Sequence, residues 1–205
     1  AARRDDRQVA ACAFLPHRDP SVEPTPATLI EATEDGWWYA ALLPDRRLSL
    51  AYFSDPDLLP RGLSRDRRAW QGLIAGSRHI AHWLDDAGFD ADAPPRLHSA
   101  GTTWLEPAAG TCDGAGWAAI GDAAAAFDPL SSHGMTTALW AAARIGTVAA
   151  AWLAGNPEPL SAYAHAVADG VSRFRTQRAG IYGRERRFPD APFWRRRNGA
   201  GRALR

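Results

Sequence analysis

The chain has 205 residues, 46% hydrophobic and 23% charged, with a formal net charge of +1. That length buries a real core, as one large domain or two small ones, and the charge balance excludes a bulk field that would steer it to nucleic acid. Every cationic residue is arginine, so no lysine-based chemistry is available within the chain. Cys12 and Cys112 make neither a disulfide framework nor a CxxC pair, which points to a reduced, cytoplasmic compartment. The first residues, AARRDDRQ, hold no apolar run of a signal peptide.

Residues 7–15 read as a strand, and the proline-rich stretch 16–27 as a loop. A meander follows: a strand over 28–34, an Asp35-Gly36 hairpin turn, a strand over 37–43, a turn at Pro44-Asp45-Arg46 and a strand over 47–53. Alternation puts Trp37, Tyr39, Ala41 and Leu43 on one face and Trp38, Ala40 and Leu42 on the other. Both faces are apolar, so the sheet is expected to be covered on both sides. Trp37 and Tyr39 are candidates for the wall of a substrate cavity, beside the plainer reading of core packing.

Apolar spacing predicts one helix from Ser64, its cap, to Asp86 through Trp70, Leu73, Ile74, Ile80 and Leu84. His79 and His82 share a face of it, but two histidines without a third ligand make no metal site. Residues 88–95 form a linker, 96–106 a strand and 107–116 a glycine-rich loop.

The chain is organised around 121–155. Trp117–Ile120 reads as a short buried strand, followed by Gly121-Asp122, a loop through Pro129, and an almost uncharged alanine-rich helix over 132–154. Ser131 or Ser132 is positioned to cap that helix, and Gly155 with Pro157 to end it. The helix is long enough to raise a membrane span, but its apolar residues are mostly alanine and Arg144 sits mid-segment, which favours a buried helix of a soluble protein. A helix start offers unpaired N–H groups and partial positive charge, Gly134 bares the backbone, and Asp122 accepts hydrogen bonds. Together they suit a polyhydroxylated ligand with an electron-rich head. His133 sits in the same loop and is the candidate acid–base group.

Gly121-Asp122-Ala123-Ala124, then Asp128-Pro129, then Gly134-Met135 resembles the second flavin motif of the FAD-dependent monooxygenases, the superfamily of para-hydroxybenzoate hydroxylase, the geranylgeranyl reductases and the tryptophan halogenases. The resemblance implies FAD as cofactor, with Asp122 at the ribityl chain, Pro129 near the reactive edge of the isoalloxazine and the Gly134 and Met135 amides facing the pyrimidine oxygen; Gly121 and Ser132 join them as cofactor-binding residues. It also implies a small-molecule or peptidyl substrate, with neither nucleic acid nor a membrane as partner.

That superfamily opens on a strand–GxGxxG–helix unit for the ADP half of FAD. None is found here; Gly114-Ala115-Gly116-Trp117-Ala118-Ala119 has a similar spelling but precedes a strand instead of following one. The expectation is therefore an α+β fold, an antiparallel substrate-side sheet with a strand–loop–long helix flavin motif and C-terminal helices. It corresponds to the C-terminal half of the enzyme, with the dinucleotide unit supplied by a missing segment or a partner chain. The implied segments are 1–106 (sheet and helix), 107–187 (flavin motif and helices, the last running from Pro159 to about Arg187) and 188–205 (an Arg-rich tail docked by Phe193-Trp194 with a solvated basic face).

Two activities of the family separate at the loop. Tryptophan halogenases resemble the chain at Asp128-Pro129-Leu130, Ser132 and Gly134, but typically carry Glu at the position of Ser131 and Thr at that of His133. Oxygenation or dehydrogenation is expected over halogenation. The remaining alternative is a non-catalytic interaction module that keeps half of the fold; a start codon just before Ala1 would favour it, an upstream GxGxxG unit the enzyme.

Overall fold

The computed structural model describes residues 1–19 and 21–199. They form two compact units, one from residues 1–7 and 100–184, the other from 8–99 and 185–199. Both units are discontinuous, whereas the segmentation at 106 and 187 read from sequence is contiguous. Of the tail 188–205, residues 188–199 fall in the second unit and 200–205 lie outside the described residues.

In chain order, β1 (Ala2–Arg4) precedes the meander strands β2 (Val9–Leu15), β3 (Thr28–Thr33), β4 (Gly36–Leu42) and β5 (Leu48–Ser54). With β6 (Arg96–Ser99), β2–β5 form one antiparallel five-stranded sheet in the order β3-β4-β5-β2-β6. Trp38, Ala40, Leu48, Leu50, Tyr52, Ala11 and Leu15 share its core face, all 2% exposed or less. Burial pushes the Tyr52 hydroxyl up to about 12, where it stays a neutral hydrogen-bond partner of Thr33.

The β3–β4 register pairs Thr33 with Gly36, so the turn residues are Glu34 and Asp35, one position before the predicted pair. Gly36 serves a different need: a Cβ there would lie 2.2 Å from the Phe53 carbonyl oxygen on β5. Glycine admits that close approach.

Two helices cover the core face where sequence spacing predicts one. α1 (Arg67–Ala75) and α2 (His79–Asp86) bury Trp70, Ile74, Ile80 and Leu84. The N-cap of α1 is Asp66, not Ser64; it accepts from the Arg68 and Ala69 N–H groups. The helices break at Gly76-Ser77-Arg78, because Glu31 on β3 reaches the start of α2 and accepts from three successive N–H groups, Arg78, His79 and Ile80, at 2.7, 2.9 and 2.8 Å. His82 pairs with Asp86 one turn on, at 3.1 Å. Among the described residues, no three His, Cys, Asp or Glu side chains gather as a metal site.

α5 (Pro192–Gly199) belongs to this unit. Trp194 donates to the Thr33 carbonyl at 2.7 Å, so the aromatic anchor docks. Its basic face is not simply solvated: Arg197 is 5% exposed and paired with Asp55 at 2.8 Å, and Arg196 bridges Asp55 and Asp57.

In the other unit, β7 (Thr103–Leu105) lies between β1 and β10 (Ala125–Ala126) in a three-stranded antiparallel sheet. The predicted strand 96–106 is thus two strands in different sheets, separated at Ala100-Gly101-Thr102. The predicted loop 107–116 holds a hairpin, β8 (Ala109–Cys112) and β9 (Ala115–Ala118), which turns at Asp113-Gly114, both at positive φ. Trp117 and Ile120 are 38% and 42% exposed, so this is not the buried strand expected.

α3 (Gly134–Leu153) and α4 (Glu158–Tyr182) complete the unit, and α4 ends before the predicted Arg187. Gly155, at φ +82°, closes α3: its N–H reaches the Trp152 carbonyl, and that of Asn156 the Ala151 carbonyl. α3 is amphipathic, not buried all round. Ala141 and Val148 face the core while Met135, Leu139 and Leu153 are 82%, 72% and 85% exposed. No helix among the described residues is long and apolar enough to cross a membrane.

Candidate functional site

The loop from Gly121 to His133 is held by its own hydrogen bonds. Gly121 turns at φ +55° into one turn of 3₁₀-helix, Gly121–Ala123, closed by the Ala124 N–H on the Gly121 carbonyl. Asp122, the middle residue of that turn, lies at the surface, and its carboxylate makes no hydrogen bond or ion pair with a described residue. After β10, Asp128 opens a second 3₁₀ turn, Pro129–Ser131, and accepts from the Leu130 N–H at 3.0 Å. Pro129 fixes φ at the first position of that turn. Ser132 then adopts the left-handed conformation, φ +54°, and reverses the chain into α3.

Neither serine caps α3 as sequence predicts. The N-cap is His133, no side chain caps the first turn, and Ser131 accepts only from the His133 N–H at 3.3 Å. The helix start therefore keeps its unpaired N–H groups and its positive end. A Cβ on Gly134 would meet nothing within 4 Å, so the backbone there is open to close approach. The His133 Nδ1 lies 2.7 Å from the Ser131 carbonyl oxygen. An oxygen of that kind only accepts, so Nδ1 donates and the neutral ring leaves Nε2 as an acceptor.

Behind the loop lies a network that sequence reasoning missed. Asp128, 0% exposed at its side chain, accepts from Arg178 Nε and from the Tyr182 hydroxyl, each at 2.8 Å. Arg178 also holds Asp6. Burial pulls the Arg178 guanidinium down, but Asp128 and Asp6 more than reverse this and its pKa rises. The signal was present: Leu160, Tyr163, Val167, Val171 and Phe174 form the core stripe of α4, and 178 and 182 continue it at a four-residue step. An arginine on a core stripe calls for a buried acid. Ile181 lies off this stripe and is 39% exposed, while Tyr182 is 1% exposed.

Gly121, Asp122, Pro129, Ser132, His133, Gly134 and Met135 thus lie on one continuous turn–loop–helix of a single unit. Trp37 and Tyr39 lie on β4 of the other unit. There Trp37 stacks on Phe53 at 4.0 Å and is 2% exposed, and Tyr39 is half-buried.

A free acid at the end of a turn, a rigid proline loop and an uncapped helix start suit the polar and anionic edges of a large cofactor. The chain is 28% identical over 198 residues to LodB of Marinomonas mediterranea, assigned as an FAD-dependent oxidoreductase, covering 95% of this chain and 50% of LodB. Its fold matches the peptidyl tryptophan dihydroxylase QhpG, which is essential for tryptophylquinone cofactor biogenesis, with a TM-score of 0.78 and 25% identity over 96% of this chain and 44% of QhpG. The chain is therefore similar to FAD-dependent oxidoreductases in both sequence and fold. It spans about half the length of the relatives it matches. The myxobacterial chondrochloren halogenase CndH shares the fold as well, with a TM-score of 0.75 and 19% identity over 98% of this chain and 48% of CndH. No protein-family model matches the chain. All strand pairings among the described residues are antiparallel, so the parallel β–α–β unit that binds a dinucleotide in this superfamily is not among them.

Proposed function

We propose that the chain is the flavin- and substrate-contacting portion of an FAD-dependent oxidoreductase, a monooxygenase acting on an aromatic or other electron-rich substrate, small or peptidyl. The observation that carries this reading is the pairing of the unpartnered Asp122 carboxylate with the uncapped, open start of α3 on one loop. The residues fit the cofactor. Asp122 would accept from ribityl hydroxyls, the Gly134 and Met135 N–H groups would donate to the pyrimidine edge, and Gly121, at φ +55°, makes the turn that presents Asp122. Pro129 and Ser132 shape the side that the reactive edge would meet.

Bound FAD supplies electron transfer and, once reduced, reaction with O₂. This chain's own residues bind, orient and exclude water. The Asp128–Arg178 pair keeps the loop rigid, so orientation costs little at the moment of reaction. His133, with Nδ1 held by Ser131, presents a fixed imidazole.

That imidazole also favours oxygenation or dehydrogenation over halogenation. A halide seat needs small N–H donors and room, and an imidazole at His133 would crowd a halide placed beside it. The test uses the complete protein that carries the dinucleotide unit. Asp122→Ala should lower FAD affinity about tenfold or more, the loss of a charge-assisted hydrogen bond worth about 1.5–3 kcal/mol; unchanged FAD content rejects the assignment. Reduced flavin, O₂, chloride or bromide and aromatic or peptidyl substrates should then give a mass gain of one oxygen or a loss of two hydrogens. Halogen incorporation would select the halogenase reading.

A further inference from the structure

A cavity of about 300 Å³ lies between α3 and α4, within one unit. Three aromatic rings line it: Phe127, Trp140 and Phe174. The rings are fixed, since Trp140 stacks on the buried Tyr163 at 5.7 Å and Phe127 packs on Phe174 at 4.6 Å. The Tyr163 hydroxyl is spent on the Ala119 carbonyl at 2.7 Å, so the wall behind Trp140 is tied down.

Two charged or basic groups interrupt the apolar lining. His133 contributes its ring, edge-on to Phe174 at 6.3 Å. With Nδ1 donating to Ser131, the polar atom left to a ligand is Nε2, an acceptor in the neutral ring. Arg173 also lines the cavity and makes no ion pair with a described residue. Gly170 forms part of the floor, and a Cβ there meets nothing within 4 Å. A largely apolar cavity of this size with a few placed polar groups is the usual form of a small-molecule site.

We propose that this α3–α4 cavity binds a single-ring aromatic acid bearing a ring hydroxyl or N–H, its donor on His133 Nε2 and its carboxylate on Arg173. The ring lies among Phe127, Trp140 and Phe174. His133 is then a specificity-determining residue, because an acceptor rewards a ligand that donates and leaves one that lacks the donor unmatched. The site stands independently of the flavin reading, since none of its contacts requires FAD.

The test is calorimetric titration of the 205-residue chain with 4-hydroxyphenylacetate, phenylacetate and p-cresol, without flavin. The first should bind best. Phenylacetate lacks the donor and p-cresol the carboxylate, and each should bind about tenfold more weakly, the equivalent of one hydrogen bond or ion pair. His133→Ala should erase the preference for 4-hydroxyphenylacetate over phenylacetate. Arg173→Gln should erase the preference over p-cresol and leave the first preference intact. Gly170→Leu should fill the cavity and abolish binding while the melting temperature holds or rises, because leucine also favours a helix more than glycine does. Ala166→Leu, on the same wall, is the second filling variant should Gly170→Leu fail to fold. No binding of 4-hydroxyphenylacetate, unchanged affinity in a folded filling variant, or preferences that survive His133→Ala would overturn the proposal. So would competition by riboflavin, which would make the cavity the flavin's own seat.

Discussion

Tyr182 donates its hydroxyl to Asp128 at 2.8 Å, joining the last turn of α4 to the loop that opens α3 across 54 positions of chain. Arg178, one turn earlier, donates to the same carboxylate oxygen. The candidate flavin loop is therefore fastened through Asp128 to two side chains of α4. Removing the carboxylate leaves the Arg178 guanidinium, 11% exposed at its side chain, with Asp6 in place of two acids. Asp128→Asn should cost about 3–5 kcal/mol, the penalty for breaking a buried pair from one side. Tyr182→Phe loses one hydrogen bond to a charged group and should cost about 1.5–3 kcal/mol. Urea denaturation with far-ultraviolet dichroism reads both, and equal small losses would mean that the network is slack.

The second buried pair makes a prediction about acid. Burial pushes the Asp55 carboxyl up, but Arg197 and Arg196 outweigh it and hold its pKa below the ordinary value. A depressed folded pKa contributes stability that is present above the unfolded value, about pH 3.9, and is lost as pH falls through the folded one. The unit of residues 8–99 and 185–199 should thus lose stability progressively below about pH 4. Asp55→Asn should be less stable at pH 7, and its deficit should shrink as acid protonates the native carboxylate. Melting curves of both proteins from neutral to acid pH check this; a deficit that does not change with pH would exclude the linkage.

Gly36 gives a steric prediction. A Cβ at this position would sit 2.2 Å from the backbone oxygen of Phe53. Backbone on a central strand pair has little room to yield, so Gly36→Ala should force β4 from β5 and cost about 1–3 kcal/mol, in the range of overpacking. Hydrogen exchange of the β4 and β5 amides should quicken in the variant. Protection equal to the parent would show that the register absorbs the methyl group.

The meander was legible because alternation and turn residues are local signals, and β3, β4 and β5 fall within a residue or so of their sequence bounds. The candidate site motif is an order of residue types, and the structure sets those residues along one turn–loop–helix. What sequence could not give depended on distant partners. The break between α1 and α2 follows from Glu31, 47 residues before Arg78. Their apolar spacing continues smoothly through Gly76, so periodicity alone joins them. The start of α3 was misread for a related reason. Ser132 is a good cap by residue type, but its left-handed backbone spends it on reversing the chain. The solvent-exposed side of α3 was hidden by its composition, since alanine is at home in either environment.

Glu31 makes the last prediction. It lies opposite Trp38 in the β3–β4 register, on the side of the sheet that carries the core, and is 8% exposed. A carboxylate there would be costly to bury were it not bonded. It is bonded by three successive N–H groups at the start of α2, where the helix's positive end favours a negative charge. Glu31→Ala removes the only side-chain acceptor these groups have among the described residues and should cost at least about 1.5–3 kcal/mol. For a unit of this size each kcal/mol lowers the melting temperature by about 4–8 °C. Glu31→Gln keeps one acceptor oxygen but loses the charge, and should fall between the parent and Glu31→Ala. The amides of Arg78, His79 and Ile80 should lose protection from hydrogen exchange in that same order of variants. If Glu31→Gln were as damaging as Glu31→Ala, the charge rather than the acceptor geometry would hold α2; if both matched the parent, the helix would start without it.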